Sequence, residues 1–67
     1  MPEGDRGGDE ILIEFVALGG AVRVTAIHAA TGTEATIVGP ASAPRAALEA
    51  AASRKLAYVM GKEKGAE

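Results

Sequence analysis

Residues 10–28 read EILIEFVALGGAVRVTAIH, and the glycine pair near their centre decides the fold. Glu10 to Leu18 is aliphatic and aromatic, without Gly or Pro. Ala21 to His28 alternates, setting Val22, Val24 and Ala26 against Arg23 and Thr25. Two β-rich runs joined by Gly19-Gly20 are a hairpin signal, because glycine takes positive φ without steric cost. Closing the hairpin there sets Ala17 opposite Val22, Phe15 opposite Val24, Ile13 opposite Ala26 and Ile11 opposite His28. One face of the ribbon then carries Ile11, Ile13, Phe15, Val22 and Val24. The other carries Leu12, Val16, Leu18 and Ile27, with Glu14, Arg23 and Thr25 among them.

Working outward from the hairpin, Thr33 to Val38 (TEATIV) reads as a third strand closed by Gly39-Pro40. Links this short cannot carry a crossover, so the strands are expected to be antiparallel. The remainder is helical in pattern. Ser42 or Ala43 opens it, and Pro44 falls in the first turn, where a missing N–H costs nothing. Ala46 to Met60 is rich in good helix formers. Leu48, Ala52, Leu56 and Val59 recur at helical spacing as a buried stripe. Gly61 suits the position just past a helix end. The expected fold is α+β: a three-stranded antiparallel β-meander with one C-terminal α-helix packed on one face (βββα).

Residues 10–60 make one domain in this reading. Residues 1–9 hold four Gly or Pro and no aliphatic residue after Met1, and read as a disordered N-terminal tail. Residues 61–67 read as a disordered C-terminal tail. The chain of 67 residues is 48% hydrophobic, but fifteen of those residues are alanines and only seventeen are larger. A domain of this size buries about 60% of the surface its unfolded chain exposes, so a second packed surface is an asset.

Composition excludes several function classes. With no Cys, disulfides and thiolate metal ligands are impossible. The N-terminus MPEGDRGGDE has no apolar core of a signal peptide. No run approaches 18 apolar residues, so no membrane span is expected, and the expected location is cytoplasmic. A net charge of −2 lacks the basic footprint of a nucleic-acid binder. Arg45, Arg54, Lys55, Lys62 and Lys64 do make the C-terminal third locally basic. That pattern suits the negative end of a helix dipole.

The stretch HAATGTEATIVGP, residues 28–40, invites a search for chemistry. A phosphate-binding loop needs several glycines, then Lys and Ser/Thr, before a helix. Here a strand follows Gly32, so Ala29-Ala30-Thr31-Gly32 reads as a hairpin turn with Gly32 left-handed. His28 is the sole histidine, and Glu34 is its only nearby partner for a metal that demands three or four ligands. No catalytic, cofactor-binding or metal-binding residue is assigned. Glu14 and Arg23 stand one diagonal step apart, as a weak surface ion pair or as an interface contact. Tyr58 is expected to pack its ring at the sheet edge with its hydroxyl in water.

The segments Ile13-Glu14-Phe15, Val22 to Ile27, Thr31-Gly32-Thr33-Glu34, Ile37-Val38-Gly39-Pro40 and Arg54 to Val59 together resemble a family of short uncharacterised bacterial proteins, a domain of unknown function. The likeness covers residues 10–60. The family pattern has Asp-Pro where this chain has His28-Ala29, so a carboxylate-capped turn is absent here. The resemblance brings no established activity and no catalytic residues.

The functional expectation is a small non-enzymatic protein without a cofactor, a homodimer or an interaction module for another protein. No small-molecule ligand and no membrane enter this reading. One helix covers one sheet face. Leu12, Val16, Leu18 and Ile27, with Glu14 and Arg23 setting register, are expected to form the interface on the other. The alternative is nucleic-acid binding through the three-stranded sheet or the basic helix.

Overall fold

The computed structural model describes residues 10–65, with side chains through Lys62. Strands β1 (Ile11–Leu18), β2 (Ala21–His28) and β3 (Glu34–Pro40) are followed by helix α1 (Arg45–Gly65). The sheet order is β1-β2-β3, antiparallel throughout. The βββα meander expected from the sequence is therefore the observed fold.

The first hairpin takes the register set by its glycines: Leu18 faces Ala21, Ala17 faces Val22 and Phe15 faces Val24, down to Ile11 against His28. Only Gly19 has positive φ, at 64°, and Gly20 does not. That is the sign pattern of a type II′ turn, in which the first central residue alone is left-handed. The second link is a four-residue turn. His28 N donates to Thr33 O (2.8 Å), and Gly32 N donates to His28 O (2.8 Å). Gly32 sits at φ 78°, the left-handed position anticipated for it.

Strand alternation sends odd residues of β1 and β3 and even residues of β2 toward the helix. Val24, Ala26, Ala35, Leu48, Ala52 and Leu56 are the buried core. Ile13, Phe15, Val22, Ile37, Ala43, Val59 and Met60 pack around it. The stripe Leu48–Ala52–Leu56–Val59 is thus the packed face of the helix. Ile11, assigned to the helix-side floor, remains exposed, because α1 lies over β2 and β3 and away from β1.

Both helix ends differ from the sequence reading. Arg45 is the first helical residue, and Pro44 precedes it. The Pro44 carbonyl accepts from Ala47 N (3.0 Å) and Leu48 N (3.1 Å), so proline opens the helix without needing its own N–H. At the other end Gly61 does not terminate the helix, which continues to Gly65. Gly61 has no positive φ, the Lys-Glu-Lys that follows favours helix, and the Lys62 ammonium lies 5.9 Å from the Tyr58 ring centre one turn back. Residues 61–65, read as tail, are helical. The tail at residues 1–9 lies outside the described residues.

Candidate interaction surface

The sheet face turned away from the helix is built in four cross-strand rows. Leu12–Ile27–Glu34 comes first, then Glu14–Thr25–Thr36, then Val16–Arg23–Val38, and finally Leu18–Ala21–Pro40 at the Gly19-Gly20 end. The six residues expected there (Leu12, Glu14, Val16, Leu18, Arg23 and Ile27) all lie on this one face. Leu12 is 47% exposed and Leu18 45%, while Val16 and Ile27 are half-buried by their neighbours.

The third strand adds what the first two could not show. Val38 is 63% exposed in the row of Val16 and Arg23, and Pro40 is exposed beside Leu18 and Ala21. Neither was assigned to the face from sequence. The signal was available in the length of the Ala29–Gly32 turn, which sets the β2–β3 register.

One polar row crosses this apolar surface. The Thr25 and Thr36 hydroxyls are 3.1 Å apart and bond each other across strands. Such a pair has already satisfied part of its hydrogen bonding, so covering it costs less than covering two lone hydroxyls. Glu14 and Arg23 do not form the expected ion pair. Each faces another residue directly (Thr25 for Glu14, Val16 for Arg23), and both side chains are exposed to competing water. The diagonal spacing is within reach of two long side chains, but an exposed pair gains little in water against the side-chain entropy of holding it.

On the helix side, a cleft of about 300 Å³ lies at the Gly19-Gly20 end, lined by Phe15, Ala17, Val22, Ala41, Ala43, Arg45 and Leu48. Arg45 caps it, its guanidinium 4.0 Å from the Phe15 ring centre, a cation–π contact. The walls are otherwise apolar and hold no acid–base pair.

The turn that invited a search for chemistry is held by its own side chains. His28 Nδ1 and Thr31 Oγ1 are 3.0 Å apart, and Thr31 Oγ1 donates to Thr33 Oγ1 at 2.9 Å. Thr33 N donates back to Thr31 Oγ1 at 3.2 Å. His28 thus serves the turn. No group of three or more His, Asp or Glu able to hold a metal occurs among the described residues. No described helix is long and apolar enough to cross a membrane. Tyr58 departs from its expected place: it is 65% exposed, off the buried stripe and beneath Lys62.

A family defined as a domain of unknown function (DUF6898) matches residues 8–64, which takes in all three strands and nearly all of the helix. No curated protein and no solved structure matches the chain.

Proposed function

We propose that this chain, which belongs to the DUF6898 family, is a non-enzymatic homodimerisation module that buries its open sheet face against a second copy. The observation that carries this reading is the row pattern. Leu12 with Ile27, and Leu18 with Ala21 and Pro40, form apolar patches on the face opposite the helix, while Val16 and Val38 flank Arg23 in the row between. Sheets packed face to face interdigitate such rows at about 10 Å separation. A two-fold axis lets one patch serve both partners.

Glu14 and Arg23 support the same reading. They are unpaired with each other on one protein chain, so each is available to the oppositely charged residue of the second copy, which sets register. Nucleic-acid binding is the weaker reading, because Arg23 is the only Lys or Arg in the three strands and shares its face with Glu14 and Glu34.

Sedimentation of the wild type and of Val16→Lys and Leu12→Glu tests the proposal. Both substitutions place charge on the open face from strand β1 and outside the helix-side core. The expected outcome is half the wild-type mass for each variant, with folding retained by circular dichroism. A wild-type monomer at hundreds of micromolar, or variants of unchanged mass, overturns it.

A further inference from the structure

The two edges of the sheet are not equivalent. Ala29 N donates to Glu10 O at 3.0 Å, which fixes the phase of the β1–β2 ladder. Because bonded pairs alternate in an antiparallel ladder, Leu12, Glu14, Val16 and Leu18 bond to β2. The N–H and C=O groups of Ile11, Ile13, Phe15 and Ala17 therefore point outward at the free edge of β1. By the same reasoning from His28 N to Thr33 O, the outward groups of β3 belong to Glu34, Thr36, Val38 and Pro40.

The β3 edge is guarded. Pro40 has no N–H to offer, and Lys55 reaches from the helix to donate its Nζ to the Thr36 carbonyl at 2.9 Å. Glu34 adds charge. Proline, lysine and charge are the means by which natural sheets blunt an edge. The β1 edge has none of the three on its outward residues, and its pairing with β2 runs unbroken through eight residues with no bulge. The helix lies toward β2 and β3; its Arg45 reaches over the Phe15 ring, but no described element pairs with the outward backbone groups of β1.

We infer that the β1 edge pairs antiparallel with β1 of a second copy, joining two sheets into one of six strands. An antiparallel edge is self-complementary about a two-fold axis, so one copy supplies what the other lacks. Side chains select the register. Pairing centred on Glu14 sets that carboxylate against its own counterpart, a like-charge opposition that destabilises. Pairing centred on Phe15 sets Phe15 against Phe15, Ile13 against Ala17 of the second copy, and Glu14 against its Val16. The small Ala17 side chain lines the open cleft. Ile13 of the second copy arrives beside it and fills space that the single chain leaves empty. This interface uses backbone groups at the edge and is independent of the open face.

Amide hydrogen exchange on the wild type is the direct test. In the paired edge, the amides of Ile13, Phe15 and Ala17 exchange at least about tenfold more slowly at hundreds of micromolar than at a few micromolar. Fast, concentration-independent exchange overturns the inference. So does slow but concentration-independent exchange, which assigns the cover to the chain itself. Ala17→Pro supplies the second arm. It removes one outward N–H and no bond to β2, so the fold persists while the sedimentation mass halves. An unchanged mass in folded Ala17→Pro overturns the edge interface. Val16→Lys separates the two interfaces: it breaks the face, yet its lysine meets Glu14 of the second copy across the edge. Protection at Ile13, Phe15 and Ala17 must then survive in Val16→Lys. If Val16→Lys leaves the mass unchanged, the face reading fails while the edge stands.

Discussion

Gly32, Gly39 and His28 show how differently single positions act in this small fold. A side chain at Gly32 meets no atom within 4 Å, yet φ is 78°. Gly32→Val therefore loses stability through backbone strain alone, and by more than the ~1–2 kcal/mol an L-residue ordinarily incurs there, because valine is β-branched. Gly39 is the reverse case. Its backbone is ordinary, but a Cβ there stands 2.5 Å from Leu48 Cδ2. Leu48 is buried, so it has little room to retreat. Gly39→Ala improves strand propensity and still destabilises, by on the order of 1–3 kcal/mol, because the helix must lift. Urea denaturation checks both, and a stabilised Gly39→Ala means Leu48 re-packs freely. His28→Ala removes one exposed contact to Thr31 and is expected to cost less than about 1 kcal/mol. The left-handed role of Gly32 was legible from its place between two alternating runs. The role of Gly39 was not, since close approach depends on where the helix crosses β3. The unmade Glu14–Arg23 pair was equally hidden, because adjacency in a register does not tell whether water wins.

At the scale of elements, the hairpin register was readable in full because two glycines with no slack between the strands admit one closure. The buried helix stripe was readable too, since Leu48 and Leu56 are its only leucines. Element ends and the β3 face were harder. A glycine at the end of a pattern reads as a stop, but nothing at Gly61 supplies the left-handed residue a stop requires. The contrast has a measurable consequence. Within a helix, glycine is worse than alanine by ~1 kcal/mol, somewhat less near a fraying end. A side chain at Gly61 meets nothing within 4 Å. Gly61→Ala should therefore raise the melting temperature by a degree or more, whereas at a left-handed cap it lowers it. A fall on thermal denaturation is the result that returns the helix end to Gly61. Val38 escaped the sequence reading for a related reason: its face depends on the turn before β3, and a residue-count error of one there reverses the whole strand.

The whole molecule is short of large buried side chains. Among the described residues, three of the six in the buried core are alanines, and only Leu56 and Val24 are large and fully enclosed. Meanwhile Leu12, Leu18 and Val38 remain exposed on the open face. If the open face is buried in the proposed homodimer, part of the stability comes from association, and such stability follows mass action. In a homodimer that melts to unfolded monomers, the melting temperature rises with protein concentration. The slope carries the information. Wild-type protein scanned over a hundredfold range of concentration should melt several degrees higher at the top of the range. Val16→Lys carries charge onto the open face opposite Arg23, so it should melt lower and, as the readout of the face, with a smaller dependence on concentration. Combining it with Ala17→Pro, which removes the edge as well, should abolish the dependence. The core itself is untouched in both variants, since Val16 and Ala17 are outside the buried cluster. A wild type whose melting temperature is flat across that range has all its stability within one chain, and the exposed rows then contribute nothing to holding this fold together.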